Sequence, residues 1–204
     1  MDTPPTHDLT RIFMGLIDEI DNSENTGDSL YTIVRNKLIS CSASNMEFED
    51  KLKGQVYVDN YDATRFILCM IAKQGMTVES MVDLWKTSNN LHIWTVEHIF
   101  PQGDLIPESW VKMIANGDPT KAKEYQAQYV HTLGNLTITG YNSTLSNKPF
   151  DEKKDRKDNY GHEIGYRNGL NLNADIVAEP EWTVDRIIAR TDRMVAKALT
   201  LFSL

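Results

Sequence analysis

Cysteine is scarce: Cys41 and Cys69 are the only two in 204 residues, and neither belongs to a Cys-x-x-Cys pair. That scarcity excludes a disulfide framework and a structural zinc site, so any metal must be held by oxygen and imidazole donors. Cys69 stands in the apolar run Phe66-Ile67-Leu68-Cys69-Met70-Ile71 and reads as a buried free thiol. No apolar run approaches the roughly 18 residues that would span a bilayer, and residues 1–8 carry neither the basic nor the apolar block of a signal peptide. The expectation is a cytoplasmic protein without a membrane partner. A Gly-x-x-x-x-Gly-Lys-Ser/Thr phosphate loop is also missing, which removes the basis for nucleotide hydrolysis within these residues.

Positive charge is short as well. The net charge of −8 argues against a nucleic-acid partner, because such binding draws on phosphate neutralisation by Lys and Arg. Its distribution weakens the objection: residues 1–60 hold 5 Lys and Arg against 11 Asp and Glu, and residues 61–204 the remaining 16 against 18. With 41% hydrophobic and 25% charged residues the composition is that of an ordinary globular chain able to bury a core.

Leu9, Ile12, Phe13, Leu16, Ile17 and Ile20 repeat at helical spacing behind Asp8, which reads as an N-cap, and residues 22–28 end that helix. Residues 29–40 fit strand or helix equally. Residues 48–52 and 61–72 read as helices, the second closed by Gln74-Gly75. At Leu91 the pattern changes. Ile93-Trp94-Thr95-Val96 is β-branched and aromatic, and the strand it predicts must end before Pro101, carrying Glu97 and His98 at its exit. A helix over 107–115, a second opened by Asp118-Pro119 and running to about 130, and a strand over 136–139 follow. Residues 141–150 read as a turn and short helix, 151–159 as a charged helix, and Val184 to Phe202 as a long amphipathic helix behind Trp182 and Thr183.

A carboxylate beside a histidine at a strand end, then a strand entered by Asn135 and a helix begun near Asn142, outlines a strand-strand-helix metal site. Glu97 and Asn142 offer hard oxygen donors suited to Mg²⁺, with Mn²⁺ the alternative. His98, with an ordinary pKa near ~6.5, suits a general base acting on water. Asn135 would fix the loop that aims it.

Glu97-His98-Ile99-Phe100-Pro101-Gln102, Leu133-Gly134-Asn135-Leu136-Thr137 and Asn142-Ser143 with Leu145-Ser146-Asn147-Lys148-Pro149-Phe150 resemble the HNH-type nuclease domain of GmrSD-type, modification-dependent restriction enzymes. The resemblance runs from about Phe48 to the end of the sequence. It implies a mainly α fold around a small antiparallel two-stranded ββα-metal core. Residues 1–90 would form a helical N-terminal region packed on that core, residues 91–160 the core with a helical insertion at 107–130, and residues 161–204 a C-terminal helical region. It implies that His98, Asn135 and Asn142 are the catalytic triad and that Glu97 and Asn142 hold the metal, with Asn147 the alternative third residue.

The implied function is a metal-dependent DNA endonuclease or nickase, the effector of a bacterial anti-phage restriction system. The alternative is an inactive DNA-binding or assembly module. A ParB-like NTP-hydrolysing domain, in the same full-length chain or as a partner, would accompany it, and dimerisation would allow double-strand cleavage. Lys148, Asn147, Lys153, Lys154, Arg156 and Lys157 are the candidate DNA contacts, although the interleaved acids from Asp151 to Asp158 also fit a solvated helix face. His131 and His162 read as structural histidines, and the four tryptophans as core or staple residues.

Overall fold

The computed structural model describes residues 6–22, 24 and 26–203. Residues 1–5, part of the 22–28 loop and the Asp8 side chain therefore lie outside the described residues. The first helix begins at Thr6, so Asp8 is inside it rather than at its cap. The chain is mainly helical, with two antiparallel strand pairs among the described residues.

In order it runs α1 (Thr6–Asp21), α2 (Asp28–Cys41), α3 (Asn45–Leu52), α4 (Val56–Asp59), α5 (Tyr61–Gln74), β1 (Thr87–Ser88), β2 (Leu91–His92) and β3 (Thr95–His98). There follow α6 (Glu108–Ala115), α7 (Pro119–Tyr129), β4 (Leu136–Thr139), α8 (Asn142–Leu145), α9 (Phe150–Lys154), α10 (Ala174–Ala178) and α11 (Val184–Leu201). No described helix is long and apolar enough to cross a membrane.

Local chemistry sets most boundaries. Ser44 and Glu47 form a reciprocal capping box on α3, and the Asn60 side chain accepts from Ala63 N–H to open α5. Asp118 accepts from Thr120 and Lys121 N–H at the head of α7, where Pro119 gives up no needed donor. Asn116 ends α6 in the left-handed conformation, at φ 52°. The ambiguous residues 29–40 are helical, in α2. The β1–β2 hairpin, unanticipated in the sequence, turns on Asn89 and Asn90 at φ 51° and 62°. Asparagine supplies those positive φ values at little cost, but two-residue strands have no alternation to reveal them.

The β3–β4 pair lies between two apolar clusters. On one side Leu68, Cys69, Val96, Leu133, Leu136, Ile138 and Met194 pack together, and on the other Ile99, Phe100, Trp110, Phe150, Tyr166, Trp182 and Ile187. Its register sets Thr95 against Thr139, Val96 against Ile138, Glu97 against Thr137 and His98 against Leu136. α6 and α7, the expected insertion, place Trp110 and Ala122 in the second cluster. The N-terminal helices differ: α2 buries no side chain, and Phe13, Met14 and Ile17 on α1 are exposed.

The expected charged helix over 151–159 is shorter. α9 stops at Lys154 because Lys153 and Lys154 turn inward and Asp158 closes a turn, accepting from Tyr160 and His162 N–H. An interleaved charge run cannot announce that two of its lysines have buried acceptors.

Candidate active site

The site grows from the way the exit of β3 is tied to the turn before β4. Asn135 is wholly buried, and its amide is saturated. Its Oδ1 accepts from Phe100 N–H at 2.8 Å and Trp182 Nε1–H at 3.2 Å, while Nδ2 donates to Phe100 O at 3.0 Å and Val130 O at 2.9 Å. The backbone adds Ile99 N–H to Asn135 O at 2.9 Å. Three segments far apart in sequence are thereby pinned beside His98, which is the loop-fixing task expected of Asn135.

α11 clamps the same turn. Arg190, fully buried, donates to Gly134 O, Leu136 O and Leu172 O at 2.8, 2.7 and 3.1 Å and pairs with Asp175. Gly134 N–H donates to Thr191 Oγ1 at 3.0 Å. A Cβ on Gly134 would run into Ile187 O and Thr191 Oγ1, so only glycine lets the turn approach the helix this closely. Sequence reading found the period of α11 but not this clamp, since an Arg in a helical pattern carries no mark of burial.

His98 closes β3, 5% exposed. Its Nε2 shares a hydrogen bond with Nδ1 of His131 at 3.1 Å. The Tyr57 ring lies edge-on to His98 at 4.5 Å and stacked on His131 at 5.3 Å, and Tyr57 N–H donates to His131 O. Burial, then His131, then Lys153 lower the His98 pKa to about 3, and burial lowers that of His131, so both rings are neutral at pH 7. His131, read from sequence as structural, is thus in direct contact with the candidate base. Its place two residues before Leu133-Gly134-Asn135 was the available signal.

Strand alternation separates the neighbours. Glu97, 3% exposed, turns to Lys153 and Tyr166, whose Nζ and OH donate to its Oε1 at 2.7 and 3.4 Å. Burial pushes the Glu97 carboxyl up against the pull of Lys153, and pushes the Lys153 ammonium down against the pull of Glu97. Lys153 also donates to His98 O at 2.7 Å and Ile99 O at 3.2 Å, so its three protons meet three acceptors. Asn142, half-buried at the head of α8, donates from Nδ2 to Val96 O at 2.7 Å and to Thr95 Oγ1 at 3.4 Å.

Thr95 and Glu97 share one face of β3, which brings Asn142 to the carboxylate side of the strand. Among the described residues, Glu97 Oε2 and Asn142 Oδ1 accept no hydrogen bond, leaving two hard oxygen donors of the kind Mg²⁺ or Mn²⁺ takes. No group of three or more His, Cys, Asp or Glu that could hold a metal ion gathers among the described residues, at this site or elsewhere, so a cation here would rest on Glu97 and one asparagine amide. Asn147, the alternative third residue, is exposed beside Gly103.

The candidate DNA contacts divide. Lys153 is sealed against Glu97, and Lys154, 8% exposed, lies over the Phe150 ring and donates to Glu179 O, so neither is presented to a phosphate. Arg156 is half-buried. Lys148 and Lys157 reach the surface, paired with Glu152 and Glu163 at 3.2 and 2.8 Å. His162 pairs with Asp158 on the exposed turn, away from the cluster just described.

A family model described as GmrSD restriction endonucleases, C-terminal domain, matches residues 42–197, well over half of the chain. The matched stretch begins just after α2 and holds every candidate site residue named above. No curated protein and no solved structure matches.

Proposed function

The chain belongs to the family of GmrSD restriction endonuclease C-terminal domains, a restriction-type nuclease family, and from that premise we propose that it is a metal-dependent HNH DNA endonuclease or nickase. In this reading the β3–β4 pair and α8 form the ββα-metal core. The observation that supports it best is the saturated Asn135 amide, which ties the strand exit carrying His98 through two hydrogen bonds to Phe100 and is itself anchored by two more to Val130 and Trp182.

His98 removes the proton of the water that attacks the phosphodiester. Burial keeps its ring unprotonated at neutral pH but, by lowering its pKa to about 3, also weakens it as a base; the approach of an anionic phosphate raises that basicity, because a neighbouring negative charge favours imidazolium. Glu97 and Asn142 would hold Mg²⁺ or Mn²⁺ through their unshared oxygens; since they leave β3 on the face opposite the His98 ring, this reading requires the water and the phosphate to lie across the end of the strand, where the two faces meet. A cation bound there supplies Lewis-acid stabilisation of charge developing on the phosphate oxygens. Lys153 holds the carbonyls of His98 and Ile99, so the base and its strand end move as one unit. Lys148, Asn147 and Lys157 meet the DNA backbone.

One such site cuts one strand, so double-strand cleavage takes a dimer or two successive nicks. The cellular role is that of a cytoplasmic effector in anti-phage restriction of modified DNA. Recognition of the modification and nucleotide control are assigned to a ParB-like NTP-hydrolysing domain, in the full-length chain or as a partner.

Supercoiled plasmid incubated with Mg²⁺ or with a chelator tests this. The protein converts plasmid to open circles only with the metal, and His98→Ala slows the conversion by about 10² to 10⁴. Wild-type nicking by His98→Ala sinks the mechanism. No cleavage by the wild type with either Mg²⁺ or Mn²⁺ leaves the non-catalytic DNA-binding or assembly module.

A further inference from the structure

The His98–His131 contact places two imidazoles on one hydrogen bond, with Nε2 of His98 3.1 Å from Nδ1 of His131. Two neutral rings can share that bond in only two ways. If His131 donates from Nδ1, His98 must carry its own proton on Nδ1, and neither nitrogen of His98 has a lone pair to offer. If His98 donates from Nε2, its Nδ1 is bare. Among the described residues Nδ1 of His98 has no hydrogen-bond partner, and it is not a sealed atom, so a water can reach it.

The surroundings favour the second arrangement. His131 is half-exposed, so a proton on its Nε2 is well solvated, whereas His98 is only 5% exposed and a proton on its Nδ1 would have no protein acceptor and a poorer water contact. His131 is also held in place: Tyr57 stacks on its ring at an interplanar angle of 8°, and Tyr57 N–H donates to its carbonyl at 3.3 Å.

We propose that His131 is a positioning residue that sets the tautomer of His98, keeping the proton on Nε2 and leaving Nδ1 as the nitrogen that takes the proton of water. The proposal rests on His98 being the base. It gives His131 the role that a carboxylate or carbonyl behind a histidine commonly plays, fixing which nitrogen is free.

The test reads the tautomer and the rate separately, on the full chain at neutral pH. Imidazole nitrogen NMR shifts of the wild type are expected to report His98 protonated on Nε2 and bare on Nδ1. His131→Phe keeps the ring on Tyr57 but removes the acceptor, so His98 becomes a mixture of tautomers and the Mg²⁺-dependent nicking kcat falls about 10 to 100-fold with KM unchanged. His131→Asn, whose amide oxygen stands near the lost Nδ1, restores the wild-type shifts and most of the rate. Protonated Nδ1 in the wild type overturns the proposal whatever the variants do, and so does a His131→Phe protein with wild-type tautomer and kcat, or equal losses in the Phe and Asn variants. Should His98→Ala nick like wild type while the shifts are as expected, the base assignment falls and His131 still sets the tautomer.

Discussion

The two asparagines that flank β4 are treated in opposite ways. Asn135 uses all four of its amide hydrogen-bonding positions on protein and is sealed, whereas Asn142 anchors only its Nδ2 and remains half-exposed. The same contrast extends to their surroundings. The turn holding Asn135 is gripped by Arg190, Thr191 and Trp182, while the segment from Asn142 to Lys148 is pinned by the buried Leu145 and by Trp110 Nε1–H on Lys148 O and otherwise lies nearer solvent. A side chain whose capacity is exhausted inside the fold can only position others. One that keeps an oxygen unshared can meet a ligand. The geometry therefore divides the site into a holding side and a meeting side.

The strongest way to break that division is to release the clamp. Arg190→Leu strips buried acceptors at Gly134, Leu136 and Leu172 of their donor and leaves Asp175 to Arg193 alone. Losing one member of a buried charged network typically costs about 3 to 5 kcal/mol. Chemical denaturation should read that loss; a variant as stable as wild type would mean that water replaces the guanidinium and that the clamp is dispensable.

The asparagines themselves come next. Asn135→Ala leaves the Phe100 N–H, the Trp182 Nε1–H and two carbonyls short of partners and is expected to lower stability by about 1 to 3 kcal/mol, with weaker catalysis at unchanged metal affinity. Asn142→Ala should cost under about 1 kcal/mol, because only two acceptors, Val96 O and Thr95 Oγ1, lose a donor and the amide they lose is half-exposed, yet weaken Mg²⁺ binding so that more metal partly restores the rate. Calorimetry separates the two. A reversal, with metal lost in Asn135→Ala and kept in Asn142→Ala, would exchange the two roles.

The holding side is also the one that the sequence conceals. Helical period and capping residues made α5, α6, α7 and α11 legible, and β-branched runs did so for β3 and β4. The ordered appearance of Glu97-His98, Leu133-Gly134-Asn135 and Asn142 gave the resemblance and the order of the site. What did not show was every contact made across long sequence distance: Arg190 on the turn, Trp182 on Asn135, Tyr57 and His131 on His98. Lys153 is the clearest case, because a lysine among alternating charges reads as solvated until the fold brings Glu97 within 2.7 Å of it. The β1–β2 hairpin was hidden for a local reason, its strands being two residues long.

The neutral, buried state of His98 makes a graded prediction. Its pKa falls from 6.5 unfolded to about 3 folded, so the folded state binds fewer protons over that interval. The stability this contributes is fully present above pH 6.5 and is lost as pH drops from there towards 3, by at most about 1.4 kcal/mol per pH unit. Burial moves His131 in the same direction. Denaturation midpoints between pH 7 and 5 should therefore fall more steeply for wild type than for His98→Gln, which removes the titration. Parallel slopes would show that water hydrates the ring and that the holding side is looser than its contacts suggest.

The smallest expected effect concerns the meeting side and its hold on DNA. Each phosphate neutralised by a basic side chain contributes about −0.9 to the slope of log affinity against log salt on duplex DNA. Lys148 and Lys157 must first leave Glu152 and Glu163, and exposed pairs of that kind are worth only about 0 to 1 kcal/mol, so a phosphate can displace the carboxylates. Changing both lysines to Gln should flatten the salt slope by about 1 to 2 while sparing metal binding. Lys153→Met should leave the slope unchanged, since its ammonium is already bonded to Glu97, His98 O and Ile99 O, and should instead lower stability and disturb the strand end. Fluorescence anisotropy with a duplex across a salt series measures both. If Lys153→Met flattened the slope and the double variant did not, the ammonium would have to leave the core on binding, and the boundary between the holding and meeting sides would have to be drawn through α9.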